Sequence, residues 1–113
     1  MTTTLHTALL ERVGGDPELL GDVIDIFLET CPPLVETIRQ ALARRDCSAV
    51  RRGAHELKGS AANFDATDVA ALARRLESHT DDQDVQESLH VMATLDTEVT
   101  LLIARLAEIR TAL

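Results

Sequence analysis

The residues best equipped for chemistry are gathered in Ala54-His55-Glu56-Leu57-Lys58-Gly59-Ser60. An unprotonated imidazole is a nucleophile, and histidine is the side chain poised near neutral pH. Lys58 follows His55 at i+3, while Arg51 and Arg52 precede it at i−4 and i−3. On a helix those spacings bring the side chains to one patch of surface. Three cations around one imidazole suit an anion carried on the ring. Gly59 has no side chain, so a partner's surface could approach the ring there. A glycine inside a helix costs about 1 kcal/mol relative to alanine, a cost that a stability-only account must explain.

A helix is needed to hold these groups in that arrangement, and the apolar residues supply its register. Val50, Ala54, Leu57, Ala61 and Phe64 recur at spacings of 4, 3, 4 and 3. At ~100° per residue they form one narrow stripe, the face such a helix buries. His55 then points roughly 140° from the centre of that stripe, into solvent. Ser48, Arg51, Lys58, Gly59 and Ala62 share its half of the helix. Charge is distributed unevenly as well. Lys58 is the only lysine, and the stretch from Arg39 to Lys58 holds six basic and two acidic residues. The rest of the chain holds five basic and seventeen acidic residues, so a positive island surrounds His55 on a chain of net charge −8.

That net charge argues against general nucleic-acid binding. At 113 residues the chain has enough length for one domain, residues 1–113, with a single core. Phe27 and Phe64 are its only aromatics, so aliphatic side chains must fill the interior. No stretch approaches ~18 uninterrupted apolar residues, and no membrane span is expected. The N-terminus lacks the basic start and apolar run of a signal peptide. Cys31 and Cys47 lack metal-ligand spacing and read as free thiols in a reducing cytosol. His6, His79 and His90 pair with no second ligand, so no metal site is expected. Initiating Met1 and the lack of a flanking linker favour a free-standing protein.

In chain order, Thr3 to Val13 reads as a short helix ended by Gly14-Gly15. Asp16-Pro17-Glu18 is a strong helix start. Leu19, Leu20, Val23, Ile24, Phe27 and Leu28 follow at helical spacing. Pro32 and Pro33 predict a kink or brief break before the pattern resumes at Leu34, Val35, Ile38, Ala41 and Leu42. Arg44-Arg45 closes that segment where cations suit the helix dipole. Asp46 caps the next helix, which carries His55 and runs to about Asn63. Phe64-Asp65-Ala66 allows only a tight connection, and Thr67 or Asp65 can cap the segment with Val69, Leu72, Ala73 and Leu76 as its stripe. Thr80 and Gln83 have capping-box spacing, with Asp81, Asp82 and Asp84 in a solvated loop. A last helix then carries Val85, Leu89, Met92, Leu95, Val99, Leu102, Leu106 and Ile109 as core rather than as a dimer zipper. No strand pattern or repeat appears. The expected fold is all-α: an antiparallel up-and-down four-helix bundle with a short additional N-terminal helix.

The stretch from Ala54 to Ala66 resembles the signature A-H-x-L-K-G-S-[SA]-x-x-x-G-A of histidine-containing phosphotransfer (HPt) domains, the carriers of multistep phosphorelays. Glu18-Leu19-Leu20, Phe27-Leu28-Glu29, Pro33-Leu34, Ile38, Ala41 and Leu42 resemble that family's preceding helix. Leu72-Ala73 and Leu76-Glu77 resemble its following segment, so the resemblance spans roughly residues 10–110. It implies that His55 is the phosphorylated histidine and Lys58 the cation near the phosphoryl group. Gly59 is then the small residue under an approaching receiver domain, and Leu57 a core position beside the site. Ser60 matches the motif, either as a binding residue or as a structural one that bonds back to the helix backbone. Arg51, Arg52, Ser48 and Ala62 complete the expected docking face. Asp65 departs from the usual glycine, with an expected small stability cost and little effect on transfer.

The resemblance further implies partners: response-regulator receiver domains and a hybrid sensor histidine kinase. The receiver supplies the acidic pocket, the Mg²⁺ and most of the catalysis, and this chain binds no cofactor itself. No phosphate-binding G-x-x-x-x-G-K-[ST] loop or kinase-like segment occurs, so no ATP-dependent autophosphorylation is expected. A cytoplasmic monomer is expected. The alternative is a helical adaptor or inhibitor bundle that binds a signalling partner without phosphoryl transfer; partner binding retained by an unlabelled His55→Ala variant would mark it.

Overall fold

Two of the long helices begin, and three of the helices end, where local residues satisfy the backbone groups that a helix terminus leaves open. The computed structural model describes residues 2–78 and 85–113. It contains α1 (Thr2–Arg12), α2 (Pro17–Ala43), α3 (Cys47–Ala62), α4 (Thr67–Glu77) and α5 (Val85–Ala112). Asp16 accepts the Glu18 and Leu19 amides at 3.0 and 3.2 Å, and Pro17 opens α2. Asp46 accepts the Ala49 amide at 3.1 Å and opens α3. The first three helices end alike, with a left-handed residue after the last turn: Gly14 at φ 67°, Arg45 at φ 59° and Asp65 at φ 54°. After each, an amide reaches back to the last turn: Gly15 to Leu10, Asp46 to Ala41 and Ala66 to Ala61. This is the Schellman closure of a helix.

α2 to α5 form the bundle. Each packs on its two neighbours, α2 on α3, α3 on α4, α4 on α5 and α5 on α2, while α1 leans on α2 and α5. Pairing across α2 and α5 runs antiparallel: Asp25 meets Arg110, and Arg39 meets Asp96. Leu9, Ile24, Ile38, Val50, Leu57, Leu76, Leu95 and Leu106 are fully enclosed in one core drawn from all five helices. Phe27 and Phe64 touch within it, ring centres 4.8 Å apart. The long axis of 46 Å matches α5, whose 28 residues at ~1.5 Å each span nearly its length.

Two expectations need correction, and the expected kink or break at Pro32-Pro33 loses its second alternative. No break occurs at Pro32-Pro33, because α2 runs unbroken through both. Both prolines face solvent between the buried Cys31 and Val35. Packing holds the helix on its inner side, while the carbonyls of Leu28 and Glu29 lose their amide donors near the outer side, where water can serve. Neither Thr67 nor Asp65 caps α4; its N-cap is Ala66, without a side-chain hydrogen bond. Asp65 turns instead to Arg12 at 2.8 Å. Finally, Leu89 leaves the α5 stripe and is 47% exposed, while Ser88 takes the buried position in step with Met92 and Leu95. The expected Thr80–Gln83 capping box, the acidic loop and His79 lie outside the described residues.

Candidate functional site

The stripe predicted for α3 is the face it buries: Val50, Ala54, Leu57 and Ala61 are fully enclosed and Phe64 nearly so. That register turns His55 outward, its side chain 72% exposed. α3 is held tightly against α2 at Gly53, where an added Cβ would lie 2.6 Å from Ile38 Cγ1. The platform is therefore fixed from beneath, and the imidazole stands on its solvent face.

The neighbour that sequence reasoning did not place at the site is Glu77, in the last turn of α4. Its Oε2 lies 2.7 Å from His55 Nδ1 and its Oε1 lies 2.6 Å from Lys58 Nζ, with a second contact of 3.1 Å from Nζ to Oε2. Lys58 first, then His55, hold the Glu77 carboxyl below its ordinary range. An ionised carboxylate can only accept, so Nδ1 donates the hydrogen to it. In the neutral ring the lone pair is then on Nε2, for which the described residues offer no hydrogen-bond partner. The imidazole is held by one nitrogen and presented by the other, an arrangement familiar from histidines oriented by a carboxylate.

Arg51, Arg52, His55 and Glu77 line one open depression of about 450 Å³. Arg52 donates to Ser48 Oγ at 2.8 Å, so both expected residues lie on that side of the ring. Lys58 is drawn onto Glu77 rather than standing free beside the ring. Gly59 is exposed, and an added Cβ there would meet nothing within 4 Å. Ala62 is exposed and its carbonyl accepts from Arg12 at 3.0 Å; Ser60 is half-buried. The same Arg12 binds the Asn63 carbonyl at 3.0 Å, so α1 clasps the end of the site helix. Cys31 and Cys47 are free thiols, and burial pushes Cys31 up to about 11. Among the described residues no group of three or more His, Cys, Asp or Glu side chains could hold a metal ion. Among them, too, no helix is long and apolar enough to cross a membrane.

Comparison with known proteins shows the family. A family model described as the Hpt domain matches residues 22–112, which takes in all but the first turn of α2, the whole of α3, α4 and α5, and the exposed histidine. The chain belongs to the Hpt domain family. It is similar to histidine-containing phosphotransfer protein 5 of Arabidopsis thaliana, 26% identical over 98 residues. That alignment covers 84% of this chain and 62% of the relative, so the chain spans less than two thirds of that protein's length. No solved structure gives a significant match.

Proposed function

We propose that this chain is a phosphocarrier of a multistep phosphorelay, with His55 as its phosphoryl acceptor. The observation that carries this reading is the imidazole itself: exposed on its helix, hydrogen-bonded at Nδ1 to Glu77 and, among the described residues, without a partner at Nε2. The Nε2 lone pair attacks the phosphorus of an aspartyl phosphate on a receiver domain. The Nε2–P bond forms, the P–O bond breaks, and the aspartate carboxylate leaves. The reverse step passes the group to the aspartate of a second receiver.

Arg51 and Arg52, which share the depression with His55, neutralise phosphoryl oxygens. Lys58 joins them by leaving Glu77. Gly59 and Ala62 give the receiver a low surface, with Ser48 and Ser60 at its edges. Mg²⁺ belongs to the receiver's acidic pocket, which supplies most of the catalysis; this chain contributes a positioned nucleophile and no ATP-dependent kinase activity. Its donor is a hybrid sensor kinase with its own receiver, and the carrier works as a cytoplasmic monomer. Incubation with a ³²P-labelled receiver tests the reading. Wild type should acquire an acid-labile, alkali-stable adduct and His55→Gln should acquire none. Equal labelling of the variant would end it.

A further inference from the structure

His55, Gly59 and Ala62 form one exposed line on α3, at i, i+4 and i+7. From His55 to Ala62 it runs two turns, ~10.5 Å along the helix axis, and the two ends lie within about 20° of each other around it. The line ends against α1. Arg12, the last residue of that helix, donates from Nη1 to the Ala62 and Asn63 carbonyls, both at 3.0 Å. Its Nη2 pairs with Asp65 Oδ1 at 2.8 Å. α1 precedes residues 22–112, the part of the chain that the family model matches, so Arg12 is a contribution of this chain's own N-terminal helix.

Resting on the reading of His55 as acceptor, we propose that the docking face continues onto α1, where Arg12 is a specificity-determining residue that meets a carboxylate on the rim of the docked receiver. Arg12 is accessible: its side chain is 47% exposed and that of its partner Asp65 42%. It is also fixed beforehand. The carbonyls at the negative end of α3 and the Asp65 carboxylate hold the guanidinium, so little side-chain freedom remains to be lost on binding. Donors are left over, because a guanidinium carries five N–H groups and no acceptor, and these contacts engage three. The group that completes such a fork best is a carboxylate. An interface of ~800 Å² per partner has a radius of roughly 16 Å, so a receiver centred on His55 covers Ala62 and brings its rim to Arg12. Asp65 competes for the same guanidinium and moderates the contact. A rim charge acts on how fast two proteins associate more than on how tightly they hold, and salt weakens it. A receiver without an acid at that place gains nothing from Arg12, which is how the contact discriminates.

The test measures, by stopped flow, association of the full chain with the fluorescently labelled receiver domain of the source organism that binds wild type fastest, from low salt to about 1 M. Arg12→Gln should associate about threefold more slowly at low salt, and the difference should close near 1 M, where the Debye length falls to ~3 Å. Asp65→Asn keeps a residue that tolerates the left-handed backbone at φ 54°. It should associate about threefold faster at low salt, and the gain should disappear when Arg12→Gln is combined with it. That cycle separates a contact made by Arg12 from a general change in charge. An Arg12→Gln rate equal to wild type at low salt, or slowed equally at every salt concentration, would overturn the proposal. So would an Asp65→Asn rate that does not rise, which serves if Arg12→Gln does not fold, or a gain that persists in the double variant. A wild-type chain that takes no label on His55 from a phosphorylated receiver would instead overturn the acceptor reading, a result read separately from the association rates.

Discussion

Gly59 separates what the fold requires from what the partner requires. It sits in the last turns of α3, exposed, where an added Cβ would have open space. Gly59→Ala should therefore stabilise the protein by about 1 kcal/mol, the helix-propensity difference, with no clash to offset it. For a chain of 113 residues, an unfolding entropy of ~2.1 cal/mol/K per residue converts this to a rise in Tm of roughly 4 °C. Thermal unfolding followed by circular dichroism measures it. Gly59→Gln should gain a similar, slightly smaller amount, and it places a long side chain on the docking face. It should take label from phosphoramidate at the wild-type rate yet take it from a phosphorylated receiver at least about tenfold more slowly, a loss of ~1.4 kcal/mol in the bound complex. If Gly59→Ala lowers Tm, the fold itself needs the glycine. If Gly59→Gln exchanges with receivers as fast as wild type, close approach at this position is not its purpose.

Other perturbations follow from the same coordinates. Gly53→Ala should behave in the opposite way from Gly59→Ala, since its Cβ would lie 2.6 Å from Ile38 Cγ1. Overpacking outweighs the gain in helix propensity, and chemical denaturation should show a loss of about 1–2 kcal/mol. At Asp65, φ 54° is available to glycine and tolerated by aspartate, whereas a β-branched residue is strained there. Asp65→Val should lose about 2 kcal/mol in the same assay. Asp65→Gly should stay within roughly 0.5 kcal/mol, because relief of strain offsets the lost exposed pair with Arg12. Glu77 is held below its ordinary 4.5, so its stabilising effect is complete above that pH and is lost as acid takes the pH down through the lowered value. Glu77→Gln should therefore flatten the acid limb of a plot of urea midpoint against pH.

The site helix was legible because its evidence is local. One apolar stripe fixed its register, and register alone decides that His55, Arg51, Arg52 and Gly59 share the outer surface. Glu77 was not legible that way, since no periodicity within α3 refers to it. The signal that could have found it is the short turn at Phe64-Asp65-Ala66. Two antiparallel helices rise equally from a tight turn, so residues equidistant from it meet. His55 lies nine residues before Phe64 and Glu77 eleven after Ala66, close enough for side chains of their length to meet. At Pro32-Pro33 the limit is complementary: the local cost is legible, but the packing of Phe27, Cys31 and Val35 that keeps the helix unbroken is a property of the whole bundle. Leu89 and Ser88 show the limit of composition. A leucine adjoining the stripe looked like core until the later positions, Met92 through Ile109, placed Ser88 in phase instead.

The central claim is that one ring nitrogen, facing water on the side of α3, receives the phosphoryl group. Its most direct measurement is peptide mapping of the labelled protein under alkaline conditions, with the position of phosphorus on the ring read by NMR. The account predicts a single phosphorylated residue, His55, substituted on Nε2. Phosphate found on Nδ1, or on any residue other than His55, would contradict it.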